Sequence, residues 1–159
     1  MPNWCYNYAS FSGERTKELA DLLKEGADYN QEFHQGWAPK FIPDPDRYLF
    51  DISNIELTPD GNLRVRFETK WAPSLTDFDQ ICNHFNLSGE LEYEELAMGI
   101  YGKYTYDPEL GGKDVYLDGA EIDSIEYNEE TDMYYYNGQE SESQYEFLSD
   151  ILDAKIRQS

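Results

Sequence analysis

The chain has 159 residues, of which 40% are hydrophobic and 16% aromatic. This length is typical of one domain with one core, and the large side chains offset the entropy lost on folding, which excludes a disordered acidic tail. A net charge of −21, from 33 acidic and 12 basic side chains, repels phosphate backbones and argues against direct DNA or RNA binding.

The negative charge is concentrated in the second half of the chain. Residues 1–86 carry 14 acidic and 8 basic side chains, a net charge of −6. Residues 87–150 carry 18 acidic side chains and only Lys103 and Lys113, a net charge of −16. The second half therefore produces most of the electric field.

Cysteine usage and hydropathy indicate a cytoplasmic protein. Cys5 and Cys82 are the only cysteines, and each lies in an apolar pattern that predicts a buried free thiol rather than a disulfide. No apolar run approaches the roughly 20 residues that a membrane span needs, and no basic and apolar leader opens the chain. We expect no contact with a membrane.

The first elements in chain order are a strand and a helix. Aromatic residues alternate with small and polar ones over Trp4–Ser12, which predicts a strand. Leucines at helical spacing over Glu14–Glu25 predict a helix with Ser12 as N-cap and Gly26 as the stop. Ala27–Asp46 has no period and predicts a long connection.

A hairpin follows. The strand patterns Leu49–Leu57 and Leu63–Lys70 flank Thr58–Asn62, whose Pro-Asp-Gly sequence is turn chemistry. Because Leu63–Lys70 alternates apolar with charged residues, one face should be buried while the other is solvated or contacts a partner.

A second helix and a fourth strand complete the first half. Ser74 and Asp77 predict a capping box for a helix that ends at Ser88-Gly89. Glu90–Glu94 alternates acidic and apolar residues, as a half-buried strand does. The order β-α-β-β-α-β predicts an α+β, ferredoxin-like split β-α-β core over residues 1–98.

Residues 99–159 predict an acidic extension of the same single domain, 1–159. Gly99–Tyr106, Val115–Tyr127 and Met133–Tyr136 read as added strands of an antiparallel β meander. A C-terminal helix is expected from about Ser143 to Arg157, with an apolar stripe and basic residues at its end.

Several segments resemble the YubB-type ferredoxin-like family of plasmid, phage and related mobile-element proteins. They are Met1–Asn7, Phe41–Pro43, Phe67–Ser74 and Tyr93–Glu95 running toward Gly99 and Gly102. The resemblance covers roughly residues 1–106 and leaves the acidic region beyond residue 107 outside the family pattern. It implies a ferredoxin-like core and a bacterial or phage cytoplasm, and it carries over no catalytic residues.

Signatures of catalysis are missing from the sequence. There is no phosphate-binding Gly-rich loop, Gly-x-Ser-x-Gly, His-Glu-x-x-His or paired Cys-x-x-Cys motif, so common hydrolases and structural zinc lack their residue sets. His34 and His84 are single and read as surface histidines. We expect no enzyme activity, no catalytic residue, no metal and no cofactor.

The acidic run is the feature that predicts a function. Carboxylates at strand spacing can imitate the phosphates of a duplex and attract a basic, nucleic-acid-binding host or defence protein. The predicted acidic face consists of Glu90, Glu92, Glu94, Asp118, Glu121, Asp123, Glu126, Glu129, Glu130 and Asp132. Tyr134 and Tyr136 are the predicted aromatic contacts, since tyrosine is enriched in interfaces.

Two alternatives to mimicry stay open. The acidity can serve solubility alone, with the core acting as a homodimeric adaptor that packs by a sheet edge or face. A carboxylate enzyme using Mg²⁺ is the third hypothesis.

Overall fold

A computed structural model describes residues 3–159 as an α+β fold, so Met1 and Pro2 of the opening motif lie outside the described residues. The elements in chain order are β1 (Trp4–Ser12), α1 (Thr16–Phe33), β2 (Phe50–Leu57), β3 (Leu63–Lys70), α2 (Leu75–Phe85), β4 (Ser88–Glu95), β5 (Ile100–Asp107), β6 (Gly111–Tyr116), α3 (Gly119–Asp123), β7 (Glu126–Asn128), β8 (Met133–Tyr136), β9 (Gln139–Ser141) and α4 (Gln144–Gln158). A single 3₁₀ turn, Leu96–Met98, joins β4 to β5.

The ferredoxin-like core is confirmed. A six-stranded sheet has the order β2-β3-β1-β4-β5-β6, and β1 pairs antiparallel with both β3 and β4. Alternate residues of these strands are buried against α1 and α2, among them Phe11, Val65 and Leu91. The period-two pattern therefore selects the face that the two helices cover.

Helix α1 is longer than the predicted Glu14–Glu25. It begins at Thr16, continues through Gly26 and ends at Phe33, where His34 takes a left-handed conformation. Gly26 is buried, and a Cβ on it would lie 2.5 Å from the Trp37 ring. The glycine serves close packing rather than helix termination, which is why the stop prediction was wrong.

The capping box predicted for α2 does not form. The Ser74 hydroxyl donates to the Asp77 carboxylate at 2.5 Å instead of capping the helix backbone. Asp77 is buried and accepts hydrogen bonds from the backbone N–H groups of Asp46 and Arg47. This carboxylate therefore ties the long connection to α2, a role that spacing alone does not reveal.

The acidic extension is not one meander. Strands β5 and β6 prolong the large sheet, whereas β7, β8 and β9 form a separate three-stranded sheet. The prediction of one strand over Val115–Tyr127 was wrong, because β6 ends at Tyr116 and α3 follows it. The Asp118-Gly119 pair begins a short helix with a reciprocal cap between Asp118 and Glu121.

A second hydrophobic cluster joins the extension to the large sheet. Tyr101 of β5 and Val115 of β6 pack with Phe147, Leu148 and Leu152 of α4. Tyr101 lies opposite Glu94 in the β4–β5 register, so α4 covers the sheet face opposite α1 and α2. The predicted C-terminal helix is confirmed as Gln144–Gln158.

Both cysteines are confirmed as buried free thiols. Burial raises the pKa of Cys5 to about 11 and that of Cys82 to about 12. Across residues 3–159, no helix is long and apolar enough to cross a membrane.

Candidate functional site

The small sheet β7-β8-β9 lies in the most acidic part of the chain. Residues 114–154 contain 13 Asp and Glu side chains and no Lys, Arg or His. Glu126 of β7 lies opposite Tyr135 of β8, and Tyr135 lies opposite Glu140 of β9. One row across this sheet therefore presents a tyrosine between two carboxylates.

The turn between β7 and β8 adds further carboxylates to this row. We call the surface formed by Glu126, Glu129, Glu130, Asp132 and Tyr135 the acidic hairpin surface. All four of its acidic residues are exposed, and none has a basic nitrogen within 4.0 Å among residues 3–159. Most of its residues line an open depression of about 750 Å³.

Local hydrogen bonds hold the hairpin turn in place. The Glu130 N–H donates to the Asn128 side-chain oxygen at 2.9 Å, and the Asp132 N–H donates to the Asn128 carbonyl at 2.9 Å. The Tyr127 hydroxyl donates to the Asp132 carboxylate, and this hydrogen bond raises the pKa of Tyr127. The carboxylates are thus presented on an ordered backbone, which lowers the entropy cost of binding.

The predicted residues around α3 are partly neutralised. Asp118 and Glu121 cap the helix reciprocally, and Lys155 of α4 pairs with Glu121 at 2.6 Å. Asp123 is exposed at the end of the helix. Asp118 and Glu121 therefore have structural roles, which sets them apart from the acidic hairpin surface.

The predicted residues of β4 lie on the large sheet, on the face opposite α1 and α2. Glu90 pairs with Lys103 at 3.0 Å, and Glu92 accepts a hydrogen bond from the Tyr101 hydroxyl at 2.8 Å. Glu94 is buried, and burial raises the pKa of its carboxyl group. The expectation of one acidic face from Glu90 to Asp132 is therefore corrected to separate groups of carboxylates.

The predicted aromatic contacts are also corrected. Tyr134 and Tyr136 are half-buried and pack against the second hydrophobic cluster, with the Tyr136 ring 5.8 Å from that of Phe147. Successive side chains of a strand point to opposite faces, so Tyr135 is the β8 tyrosine that lies beside Glu126 and Glu140. Tyr127, 49% exposed, lies opposite Tyr134 on the other face of this small sheet, with the two ring centroids 5.0 Å apart.

Glu140 is a member of the acidic row that the sequence analysis missed. Asn137 and Gly138 both have positive φ, 51° and 78°, as a two-residue hairpin turn of this dipeptide requires. Recognising Asn137-Gly138 as a hairpin turn would have predicted β9 and placed Glu140 beside Tyr135.

No metal-binding arrangement of three or more His, Cys, Asp or Glu side chains is present within residues 3–159. Glu68 of β3 lies beside Asp51 of β2. Burial, followed by the hydrogen bond with Asp51, raises the pKa of Glu68 to about 7. The absence of enzyme activity stays a prediction.

Comparison with protein-family models identifies the segment 52–147, which runs from β2 into α4, as a ferredoxin-like domain in Api92-like protein. No curated protein and no solved structure matches the chain. The matched segment includes residues 108–147 of the acidic region. Since the match spans more than half of the chain, the protein belongs to the family of ferredoxin-like domains found in Api92-like proteins.

Proposed function

We propose that the protein is an interaction protein whose acidic hairpin surface binds the basic site of a nucleic-acid-handling protein. The observation that carries this proposal is a set of exposed carboxylates that have no basic partner among residues 3–159 and are held on an ordered hairpin beside Tyr135. In this role the surface acts as a nucleic-acid mimic and inhibits its partner by occupying the basic site.

Electrostatics and composition both support a cationic protein as the partner. Lys and Arg side chains that bind phosphates are attracted equally by closely spaced carboxylates. Tyr135 supplies interface area at a low entropy cost. The protein itself is not expected to bind nucleic acid, because its charge of −21 opposes this.

The biological setting is proposed from the sequence resemblance. The opening motif and the Trp71-Ala72-Pro73 segment resemble YubB-type proteins, which favours a plasmid or phage origin and action in the cytoplasm of a bacterial host. We propose a host defence complex as the class of target that the protein inhibits.

Charge reversal provides the test of the acidic hairpin surface. The triple variant Glu126→Lys, Glu129→Lys and Glu130→Lys should lose the basic proteins that the wild type captures from host lysate at 50 mM salt. Duplex DNA should compete for the same captured protein, and affinity should fall steeply as salt rises.

The matched control reverses three exposed acids outside the hairpin, with Glu14→Lys, Glu25→Lys and Glu32→Lys. This control changes the net charge equally and should retain the partner. Equal losses in both triple variants would mean that bulk charge alone attracts the partner, and insensitivity to duplex DNA would contradict mimicry.

A second candidate is a homodimeric adaptor, in which the acidity serves solubility. The observation that favours it is the exposure of Tyr6 and Tyr8, 45% and 38%, on the central strand β1, on a sheet face that α4 covers only in part.

A further inference from the structure

A groove of about 370 Å³ lies on the face of the large sheet opposite α1 and α2. It runs over the central strand β1, between β3 and β4, and Tyr8 and Ser10 of β1 line its middle. Tyr8 is 38% exposed. Helix α4 packs on the same side of the sheet but at β5 and β6, so it leaves this groove open.

A cation and an anion lie on opposite sides of the groove. Arg66, Tyr8 and Glu92 are side by side in the register of β3, β1 and β4. The Arg66 side chain is exposed and Glu92 is half-buried. We call the groove around these three residues the charged groove.

Neither charge of the charged groove is neutralised by an ion pair within residues 3–159. Arg66 has no carboxylate oxygen within 4.0 Å, and Glu92 has no basic nitrogen within this distance. Lys103 lies opposite Glu92 in the register, but its ammonium pairs with Glu90 at 3.0 Å. An exposed arginine without a partner is unexpected in a protein with 33 acidic side chains.

Both unpaired groups are nevertheless held in place by tyrosines. The Arg66 guanidinium lies over the Tyr8 ring, 4.9 Å from its centroid, and donates to the Tyr8 hydroxyl at 3.4 Å. The Tyr101 hydroxyl donates to the Glu92 carboxylate at 2.8 Å. Groups that are oriented before binding lose less entropy when a ligand arrives.

We infer that the charged groove binds a small zwitterion of the α-amino acid class. The ligand's carboxylate accepts hydrogen bonds from Arg66, whose planar fork suits it, and the ligand's ammonium donates to Glu92. The site is separate from the acidic hairpin surface, so the inference does not depend on the proposed function.

The spacing of the strands agrees with a ligand of this size. Because Arg66 leans over Tyr8, its guanidinium lies between one and two strand spacings from Glu92, about 5–10 Å. Two charge-assisted hydrogen bonds of about 2.8 Å each take up about 5–6 Å of this distance. The amino nitrogen and carboxyl carbon of an α-amino acid are about 2.5 Å apart, which completes the bridge.

The neighbouring charges disfavour ligands of a single sign. Glu68 and Glu94 form the adjacent row on one side of the charged groove, and Arg64 and Glu90 form the row on the other side. Carboxylates on both sides repel phosphates and other multiply charged anions. Arg64 and Arg66 together repel an amine that lacks a carboxylate, whereas a zwitterion complements both signs.

The same neighbours indicate the kind of ligand side chain. The groove continues from Tyr8 to Ser10, with Arg64 on one side and Glu90 on the other. A side-chain amide both donates and accepts hydrogen bonds, so it can use the Ser10 hydroxyl and either charged group. L-Glutamine is therefore the probe of choice.

A titration followed by two-dimensional ¹H–¹⁵N NMR tests the charged groove. L-Glutamine should cause saturable shifts in β1, β3 and β4, with a Kd of about 0.1–5 mM. N-acetyl-L-glutamine lacks the ammonium and L-glutamine amide lacks the carboxylate. Each should bind at least about tenfold more weakly, because one charged contact is lost.

Two variants assign the contacts to residues. Arg66→Gln and Glu92→Gln should each weaken L-glutamine binding at least about tenfold. Glu92→Gln should not weaken N-acetyl-L-glutamine further, because this compound has no ammonium to lose; a merely structural role of Glu92 would weaken both. Lys24→Gln and Glu25→Gln on the exposed side of α1 are matched controls for charge and should bind like the wild type.

The inference is overturned if L-glutamine gives no saturable shift up to about 50 mM, or if either blocked compound binds as tightly as L-glutamine. Equal binding of inorganic phosphate would assign the groove to simple anions instead. Circular dichroism establishes that each variant is folded. Reversal of the acidic hairpin surface should leave L-glutamine binding intact, so this inference and the proposed function fail separately.

Discussion

Replacement of Leu148 by alanine tests whether the extension and the ferredoxin-like core unfold as one domain. Leu148 is completely buried in the second hydrophobic cluster. The three tryptophans, Trp4, Trp37 and Trp71, all lie in the first half of the chain, and Trp37 packs against the first cluster. Tryptophan fluorescence therefore reports on the ferredoxin-like core, whereas the substitution lies in the extension.

The expected loss is about 3 kcal/mol in the free energy of unfolding. Leu→Ala at fully buried sites costs about 2–5 kcal/mol, depending on how far the cavity collapses. With a urea m-value of about 2 kcal/mol/M, the midpoint of the transition should fall by about 1.5 M. Because β5 and β6 belong to the large sheet, the tryptophan signal should shift as much as the far-ultraviolet circular dichroism.

Two controls define the result. Leu23→Ala creates a cavity of the same kind in the first cluster and should lower both midpoints, whereas Leu110→Ala, at an 89% exposed position, should change neither. If Leu148→Ala leaves the tryptophan midpoint unchanged while part of the circular dichroism signal is lost earlier, the two clusters unfold independently and the prediction of a single domain is wrong.

Two further predictions concern other positions. Gly26→Ala should destabilise the protein by about 1–2 kcal/mol in urea unfolding, despite the better helix propensity of alanine, because the added Cβ would meet the Trp37 ring. The control Gly119→Ala, with open space around the added Cβ, should not destabilise the protein. A Gly26→Ala variant more stable than the wild type would refute the close packing at Gly26. The raised pKa of Glu68, about 7, means that the Glu68 carboxyl group binds its proton more tightly in the folded state than in the unfolded state. Protonation of Glu68 therefore stabilises the fold fully below pH 4.5, and this stabilisation is lost as pH rises through 7. Glu68→Gln, which keeps a donor toward Asp51, should be more stable than the wild type at pH 8 by about 1 kcal/mol after screening by water, and equal pH profiles of the two proteins would contradict this.

The element order of the first half could be predicted because its signals are local. Alternation in β1 and β3 and the turn at Thr58–Asn62 depend on near neighbours in the chain, and the structure agrees with them. Gly26 shows where such signals fail. Gly26 continues the helix because it packs against Trp37, which a β-bridge to Leu49 holds beside the helix. No pattern of neighbouring residues predicts this contact.

For the candidate site, too, some features could be predicted from the sequence and others depend on tertiary contacts. Composition identified an acidic second half, and alternation indicated an uncovered side of β3, since both are properties of consecutive residues. Only the tertiary structure separates Glu92, held by the Tyr101 hydroxyl, and Glu121, paired with Lys155, from the exposed carboxylates of the β7–β8 hairpin. Whether a charge stays unpaired depends on the residues that distant strands and helices bring within a few ångströms of it, and this distance is decided by packing.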